Sequence, residues 1–404
     1  MSVGSTELVI ERSAGPFARL LAVGAVGATA LAVVSGAAGW HTEHRLLAAV
    51  ALPPLVGLLV IAWMVLRRLL PTALAALVLF GLAALLTGDG IHLAMATLAF
   101  AATTVVAVQA FRLSSGDPVE LRDYVTLTKP RVMSLLLLTG GCAVFVGAAG
   151  LPSWKTLAVT VVGLALACGG AATLNHYLDR DIDQLMGSRT AGRPVASGRV
   201  APELALEYGI ALSAASFVLL ASTVNVLTAF LALAGGLFYV VVYTRLLKRS
   251  TPQNIVIGGA AGAVPPLVGW AAATGHLGLA AWLLFAIVFV WTPPHFWALA
   301  LLIKDKYASA NVPMLPVVRG EQATARQIVV YSLGLVAVTL LPWGLGGAGP
   351  FYVVSALALG AVFVWLAERL RRDLTPRRAM LLFHYSLLYL ALLFAALAVD
   401  AVIS

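Results

Sequence analysis

The chain is short of charge, of acid in particular, and of cysteine. Asp, Glu, Lys and Arg make up 11% of its 404 residues, with 17 acids against 26 bases and 2 cysteines. A soluble globule carries about a quarter charged residues, so a surface bathed in water along the whole chain is excluded. Cys142 and Cys168 both fall inside apolar stretches, which excludes a disulfide scaffold or a zinc site and leaves packing as their role. Low-complexity tracts are absent as well.

What fills the chain instead is hydrocarbon. It is 61% hydrophobic, with mean hydropathy +0.97. Thirteen apolar stretches follow one another, each of about 20 residues, the length that crosses a hydrocarbon core. Backbone groups in lipid must be satisfied internally, so the expected fold is an all-α polytopic membrane protein. The first stretch lacks a small-residue cleavage site and is followed by further spans, so it reads as a retained helix. Threading the chain through thirteen spans puts all but Arg45 and Lys155 of its 26 lysines and arginines on one side. That asymmetry makes the side cytoplasmic, with the N-terminus on it, in a prokaryotic plasma membrane. The net charge of +9 is spread over many short loops, so it is a topology signal; lipid is the implied partner and nucleic acid is not.

The polar stretch 113–130, punctuated by Gly116 and Pro118, separates a first block of four spans (1–115) from a second of nine (116–404). In the second block polar residues gather in three loops on the cytoplasmic side, near 176–202, 244–254 and 304–326. Chemistry is expected on that face.

The densest polar segment holds Asn175, Asp179 and Asp183, which recur every four residues at the end of an apolar span. On a helix this spacing puts all three on one face over about 12 Å, with Asp181 turned elsewhere. Two carboxylates so placed repel each other unless a cation lies between them. Oxygen ligands of this kind suit Mg²⁺, which takes one or two carboxylates together with substrate phosphates. The competing reading is a solvated helix end whose acids pair with Arg180 and Arg189. Cations converge on the same side: Lys129 and Arg131 around Pro130, then Arg189, Arg193 and Arg199, then Lys248 and Arg249, then Lys304 and Lys306 around Asp305. Such a clamp stabilises the charge that builds on a departing diphosphate. The bland alternative is that each anchors a loop at the membrane surface, and for Arg67, Arg68 and Arg369 to Arg378 that alternative is preferred.

Residues 121–400 resemble the intramembrane aromatic prenyltransferase superfamily, and within it the haem-modifying protohaem IX farnesyltransferase branch. The resemblance is carried by Lys129-Pro-Arg131-Val, by Asn175, Asp179 and Asp183 running into Arg189-Thr-x-x-Arg193-Pro, and by Tyr243-Thr-x-x-Leu-Lys248-Arg249. Asn254-Ile-Val-Ile-Gly-Gly, Trp291-Thr-Pro-Pro-His295-Phe-Trp and Pro313-Met-Leu-Pro complete it. It implies a nine-helix bundle that moves a farnesyl group from farnesyl diphosphate to the 2-vinyl group of haem B with Mg²⁺, adding water and releasing diphosphate. It further implies that Asn175, Asp179, Asp183 and Asp305 face the metal, and that Lys129, Arg131, Arg189, Arg193, Lys248, Arg249 and Lys304 face the diphosphate. Lys306 stands where that family usually has an acid, so a second metal-facing wall rests on Asp305 alone. His295 follows Pro293-Pro294, a pair expected to break or kink its span. It either contacts the porphyrin or moves a proton, or else satisfies carbonyls freed by the kink. Tyr177, Tyr243, Phe296 and Trp297 are candidate aromatic faces for an allylic cation. A quinone-precursor prenyltransferase and a non-catalytic haem-handling assembly factor are the competing functions. Intact carboxylates argue against the second, and the Trp291–Trp297 stretch argues against the first.

The first block, with His41-Thr-Glu-His44-Arg45 and Ile91-His92, resembles half of a haem A synthase. The resemblance implies a haem held between His44 and His92, and haem A synthase or oxidase assembly proteins as partners.

Overall fold

The computed structural model describes residues 121–403 and the single position Ala25. The chain divides between Glu120 and Leu121. The four expected spans of the first block, with His44 and His92, lie outside the described residues.

Among the described residues the protein is helical throughout, and nine helices are long and apolar enough to cross a membrane. We label them α1 (Pro130–Ala148), α2 (Trp154–Leu178), α3 (Pro202–Thr223), α4 (Val226–Leu247), α5 (Asn254–Thr274), α6 (Leu279–Leu302), α7 (Glu321–Gly344), α8 (Pro350–Arg372) and α9 (Pro376–Ile403). The nine apolar stretches of the second block each become one of these helices. The reasons are local: proline opens α1, α3 and α8, where its missing N–H has no intrahelical partner to lose. Asn225 caps α4 by accepting from Thr228 N at 2.8 Å, and its amide donates to Ala271 O of α5 at 2.9 Å. Gly275, at φ +74°, ends α5 in the left-handed region.

Packing relies on small residues, because lipid tails give apolar faces no reason to leave them. At the α1–α5 crossing, a Cβ on Gly269 would stand 2.0 Å from Gly140 O. At the α2–α3 crossing, a Cβ on Gly170 would stand 2.8 Å from Gly209 O. The aromatic core lies among α6 to α9, where Tyr352, Phe363, Tyr389 and Phe394 are fully buried. Asp400, near the end of α9, receives the backbone N–H groups of Gly349 and of Tyr352 (3.1 Å) and so caps α8 from a neighbouring helix. Large apolar side chains such as Val132, Ile210, Phe230, Val354 and Trp365 point outward, as a lipid-facing surface requires.

Two departures from ideal helix matter. The second half of α4, Phe238–Leu247, winds as a π-helix, and Lys248 N accordingly bonds to Tyr243 O five residues back. Conversely, the break expected at Pro293-Pro294 does not occur. α6 runs through the pair to Leu302, with both prolines buried against neighbouring helices.

Candidate active site

Asn175 closes α2, Asp179 is the joint, and Asp183 lies on the short helix Arg180–Leu185. Asp179 N still bonds to Asn175 O (2.9 Å) and Asp183 N to Asp179 O (2.8 Å). The i, i+4, i+8 face therefore survives the joint. All three side chains are buried, at 3%, 1% and 1% exposure.

Each is gripped from a different element. Lys129 Nζ donates to Asn175 Oδ1 at 2.6 Å. Asn175 Nδ2 donates to Asp179 Oδ2 at 2.8 Å and to Thr244 Oγ1 at 3.0 Å. Thr244 in turn donates to Tyr239 O at 2.9 Å, across the π-helix. Lys248 Nζ donates to Asp179 Oδ2 at 2.6 Å, and Arg193 Nη1 to Asp183 Oδ1 at 2.6 Å. The remaining oxygens, Asp179 Oδ1 and Asp183 Oδ2, are buried without a partner. A buried bare carboxylate oxygen is costly to keep, and two hard oxygens on one face are the donors that a Mg²⁺ ion accepts. The residues fit the metal that the resemblance implied. Asn175 contributes less than expected, because both its amide hydrogens are committed and its carbonyl already receives an ammonium.

Lys129 sits just before Pro130 at φ 52°, ψ 56°. A left-handed conformation in a non-glycine residue costs about 1–2 kcal/mol, and here it turns the ammonium towards Asn175. Burial, reinforced by Arg193, pulls its pKa down to about 7, against the opposing pull of Asp179. Arg193 and Asp179 also act on Tyr307, whose hydroxyl is raised to about 12, chiefly by burial.

Other expected residues go elsewhere. Arg249 forms a two-pronged pair with Asp181 at 2.7 and 2.8 Å and also donates to Leu178 O at 2.8 Å. That pairing holds the Asp181 carboxyl down at about 2, and it fastens the joint rather than lining the cluster. Lys304 is paired with Glu321 at 2.6 Å. Asp305 and Lys306 are exposed, and Lys306 lies along Gly187, with Cε 4.0 Å from where a Cβ would stand. The Arg189 side chain lies outside the described residues. Arg199 pairs with Asp123 at 3.1 Å, tying the loop to the short helix Leu121–Leu127.

Next to this cluster opens an apolar cavity of about 870 Å³. Lys129, Arg131, Tyr239 and Tyr243 line it together with Trp291, His295, Phe296 and Phe383. Tyr239 and Tyr243 stack at 5.6 Å. Of the four aromatic faces expected, Tyr243 and Phe296 line the cavity. Trp297 is packed on Tyr331 instead, and Tyr177 lies under the Arg180 guanidinium. His295 does not serve freed carbonyls: its Nδ1 meets Ser386 Oγ at 2.7 Å. Sequence reading missed Thr244, Tyr239 and Ser386. Thr244 stood beside the Tyr243 motif, but only the π-turn brings it to Asn175. Nothing local marks Ser386.

A cluster of cations and carboxylates beside an apolar cavity large enough for an isoprenoid chain is a site suited to ionising a prenyl diphosphate. Comparison with known proteins agrees. The UbiA prenyltransferase family matches residues 135–397. A protein of Roseiflexus sp. (strain RS-1) named protoheme IX farnesyltransferase is 46% identical over 399 residues, covering 93% of this chain and 74% of that one; the similarity extends into the first block. A protein of the same name from Symbiobacterium thermophilum is 53% identical over 291 residues, covering 72% of this chain and 96% of its own. Among solved structures, one of digeranylgeranylglyceryl phosphate synthase shares the fold with TM-score 0.59 at 16% identity, covering 70% of this chain and 99% of that one. The apo structure of a UbiA homolog from Aeropyrum pernix K1 does so with TM-score 0.51 at 19% identity, covering 66% and 97%.

Proposed function

Because the chain belongs to the UbiA prenyltransferase family, we propose that its buried cluster is the diphosphate site of a protohaem IX farnesyltransferase. The enzyme transfers the farnesyl group of farnesyl diphosphate to the 2-vinyl group of haem B, making haem O and releasing diphosphate. The observation that carries the site assignment is the pair of bare buried oxygens, Asp179 Oδ1 and Asp183 Oδ2, ringed by Lys129, Lys248 and Arg193.

Asp179 and Asp183 would hold Mg²⁺, with Asn175 bracing Asp179; when bound, the ion would supply positive charge to the leaving diphosphate. Lys248 and Arg193, paired with the carboxylates, and Lys129, paired with the Asn175 carbonyl, are the donors at hand for that leaving group. Arg131 on the cavity lining extends the clamp, Arg189 is assigned to it from its place in the motif alone, and the exposed Asp305 is the acid assigned to a second ion. Tyr239, Tyr243 and Phe296 offer faces to the allylic cation, while the apolar walls keep water from it until the acceptor has reacted.

The deciding experiment incubates membranes containing the protein with haem B, farnesyl diphosphate and Mg²⁺ and identifies the pigments by mass. Farnesylated haem is expected; prenylation of an aromatic acid with haem left unchanged would overturn the reading. The site faces the cytoplasm, a reading supported by the distribution of lysine and arginine. A Ser188→Cys variant should resist a membrane-impermeant thiol reagent applied to whole cells, and a Leu151→Cys variant should react. Finally, the block 1–115 is assigned as a haem-binding half-domain on His44 and His92, with haem A synthase or oxidase assembly proteins as partners. A haem spectrum surviving in the His44→Ala, His92→Ala double variant would remove those ligands.

A further inference from the structure

The part of the cavity lined by α6 and α9 holds a hydrogen-bond chain that diphosphate ionisation does not need. His295 is sandwiched between Trp291 (4.3 Å, 15°) and Phe383 (4.9 Å, 22°), so only its ring edge is open. Ser386 meets that edge at Nδ1, 2.7 Å away. The same Ser386 hydroxyl lies 2.6 Å from Phe383 O, and Trp291 Nε1 donates to Ser386 O at 2.8 Å. Ser386 is fully buried and pinned from both helices.

A serine has one hydroxyl hydrogen. Two oxygens 2.6 Å apart repel unless that hydrogen lies between them, so it belongs to the Phe383 carbonyl. The contact with His295 must then run the other way, with Nδ1–H donating to Ser386 Oγ. A neutral imidazole carries one N–H, so Nε2 is left with a bare lone pair on the opposite edge.

We propose that Ser386 is a positioning residue that fixes His295 in the Nδ1–H form, so that Nε2 is the base for the water that completes the reaction. This rests on the haem-farnesylating reading above. There, C1 of the farnesyl group leaves diphosphate and bonds to the terminal vinyl carbon, which puts positive charge on the vinyl carbon attached to the porphyrin. A water oxygen bonds to that carbon, and one of its protons passes to His295 Nε2. Among the described α6 and α9 residues that line the cavity, no side chain other than His295 accepts a proton at neutral pH. Without the base, the cation sheds a proton from its own carbon chain, and the product is farnesylated haem lighter by one water.

The test uses the full-length protein in membranes and follows pigment masses over time. Ser386→Ala is expected to lower kcat about tenfold, to leave KM for both substrates within about twofold, and to raise the fraction of the lighter pigment. Ser386→Thr, which keeps the oxygen, is expected to restore the wild-type ratio. His295→Gln, whose amide nitrogen has no free lone pair, should lower kcat about a hundredfold with the same shift in ratio. A wild-type product ratio in Ser386→Ala or in His295→Gln overturns the proposal. So does a loss in Ser386→Ala that Ser386→Thr fails to reverse, since that would be packing. If the wild type itself makes no farnesylated haem, the functional reading falls; if the wild type is active and only the ratio refuses to move, this inference alone falls.

Discussion

Asp179 and Asp183 each turn one oxygen to a cation and keep the other bare, and this asymmetry sets what a substitution at either position costs. Asp179→Asn removes the charge that both a metal and Lys248 need. Turnover should fall at least a hundredfold, about what loss of a principal electrostatic stabiliser costs; pigment analysis at saturating Mg²⁺ measures it, and unchanged turnover would sink the metal assignment. Asp179→Ala goes further by leaving a buried lysine unpaired, a change that costs about 3–5 kcal/mol and should show as a lower melting temperature in detergent. A subtler case is Thr244→Val. It removes one acceptor of Asn175 Nδ2 while keeping the shape, so Asn175 loses its brace. The expected outcome is a roughly tenfold drop in kcat, the order of a lost hydrogen bond of about 1–1.5 kcal/mol, with the farnesyl diphosphate KM little changed.

Helix pairs fail where their backbones touch. Gly269→Ala would drive a methyl group to 2.0 Å from Gly140 O, and no side-chain rotation relieves a clash with backbone. α1 and α5 must part, and the variant is expected to accumulate poorly and to melt several degrees lower. Gly262→Ala on the same helix meets nothing within 4 Å and serves as the neutral comparison. How much of this the sequence revealed divides along a physical line. The nine spans were legible because length and apolarity are local properties. So was the shared face of Asn175, Asp179 and Asp183, which follows from helical pitch and persists through the joint at Asp179. The choice of partners was not. Lys248 and Arg249 are adjacent, yet one reaches Asp179 and the other Asp181, just beyond the π-helical end of α4. That winding leaves no mark on the apolar pattern. Lys304 likewise pairs with Glu321 at 2.6 Å, a partner 17 residues away that its own motif does not announce. The span across Pro293-Pro294 was legible as one stretch, but that it stays helical through the pair was not, since both prolines are buried inside the helix, a context that local propensity does not carry.

At the scale of the whole bundle, the cluster opens onto a cavity of about 870 Å³, and on the proposed function its free volume limits which chains fit. Gly262 lines it and has open space above its Cα. Gly262→Leu should therefore leave the fold intact while raising KM for farnesyl diphosphate about tenfold, with a shorter allylic diphosphate affected less; equal effects on both donors would mean that the chain does not lie there. The charge of the cluster has a kinetic consequence. Asp179 and Asp183 already face Lys248 and Arg193, each at 2.6 Å, so two cations balance the two carboxylates and the pair carries no net negative charge. On the proposed function such a pocket would hold a lone divalent ion weakly and would hold firmly one that arrives bound to phosphate oxygens. Donor and ion would then enter as one complex and leave as one, after which Lys248 and Arg193 would pair again with Asp179 and Asp183 and reset the pocket for the next turnover.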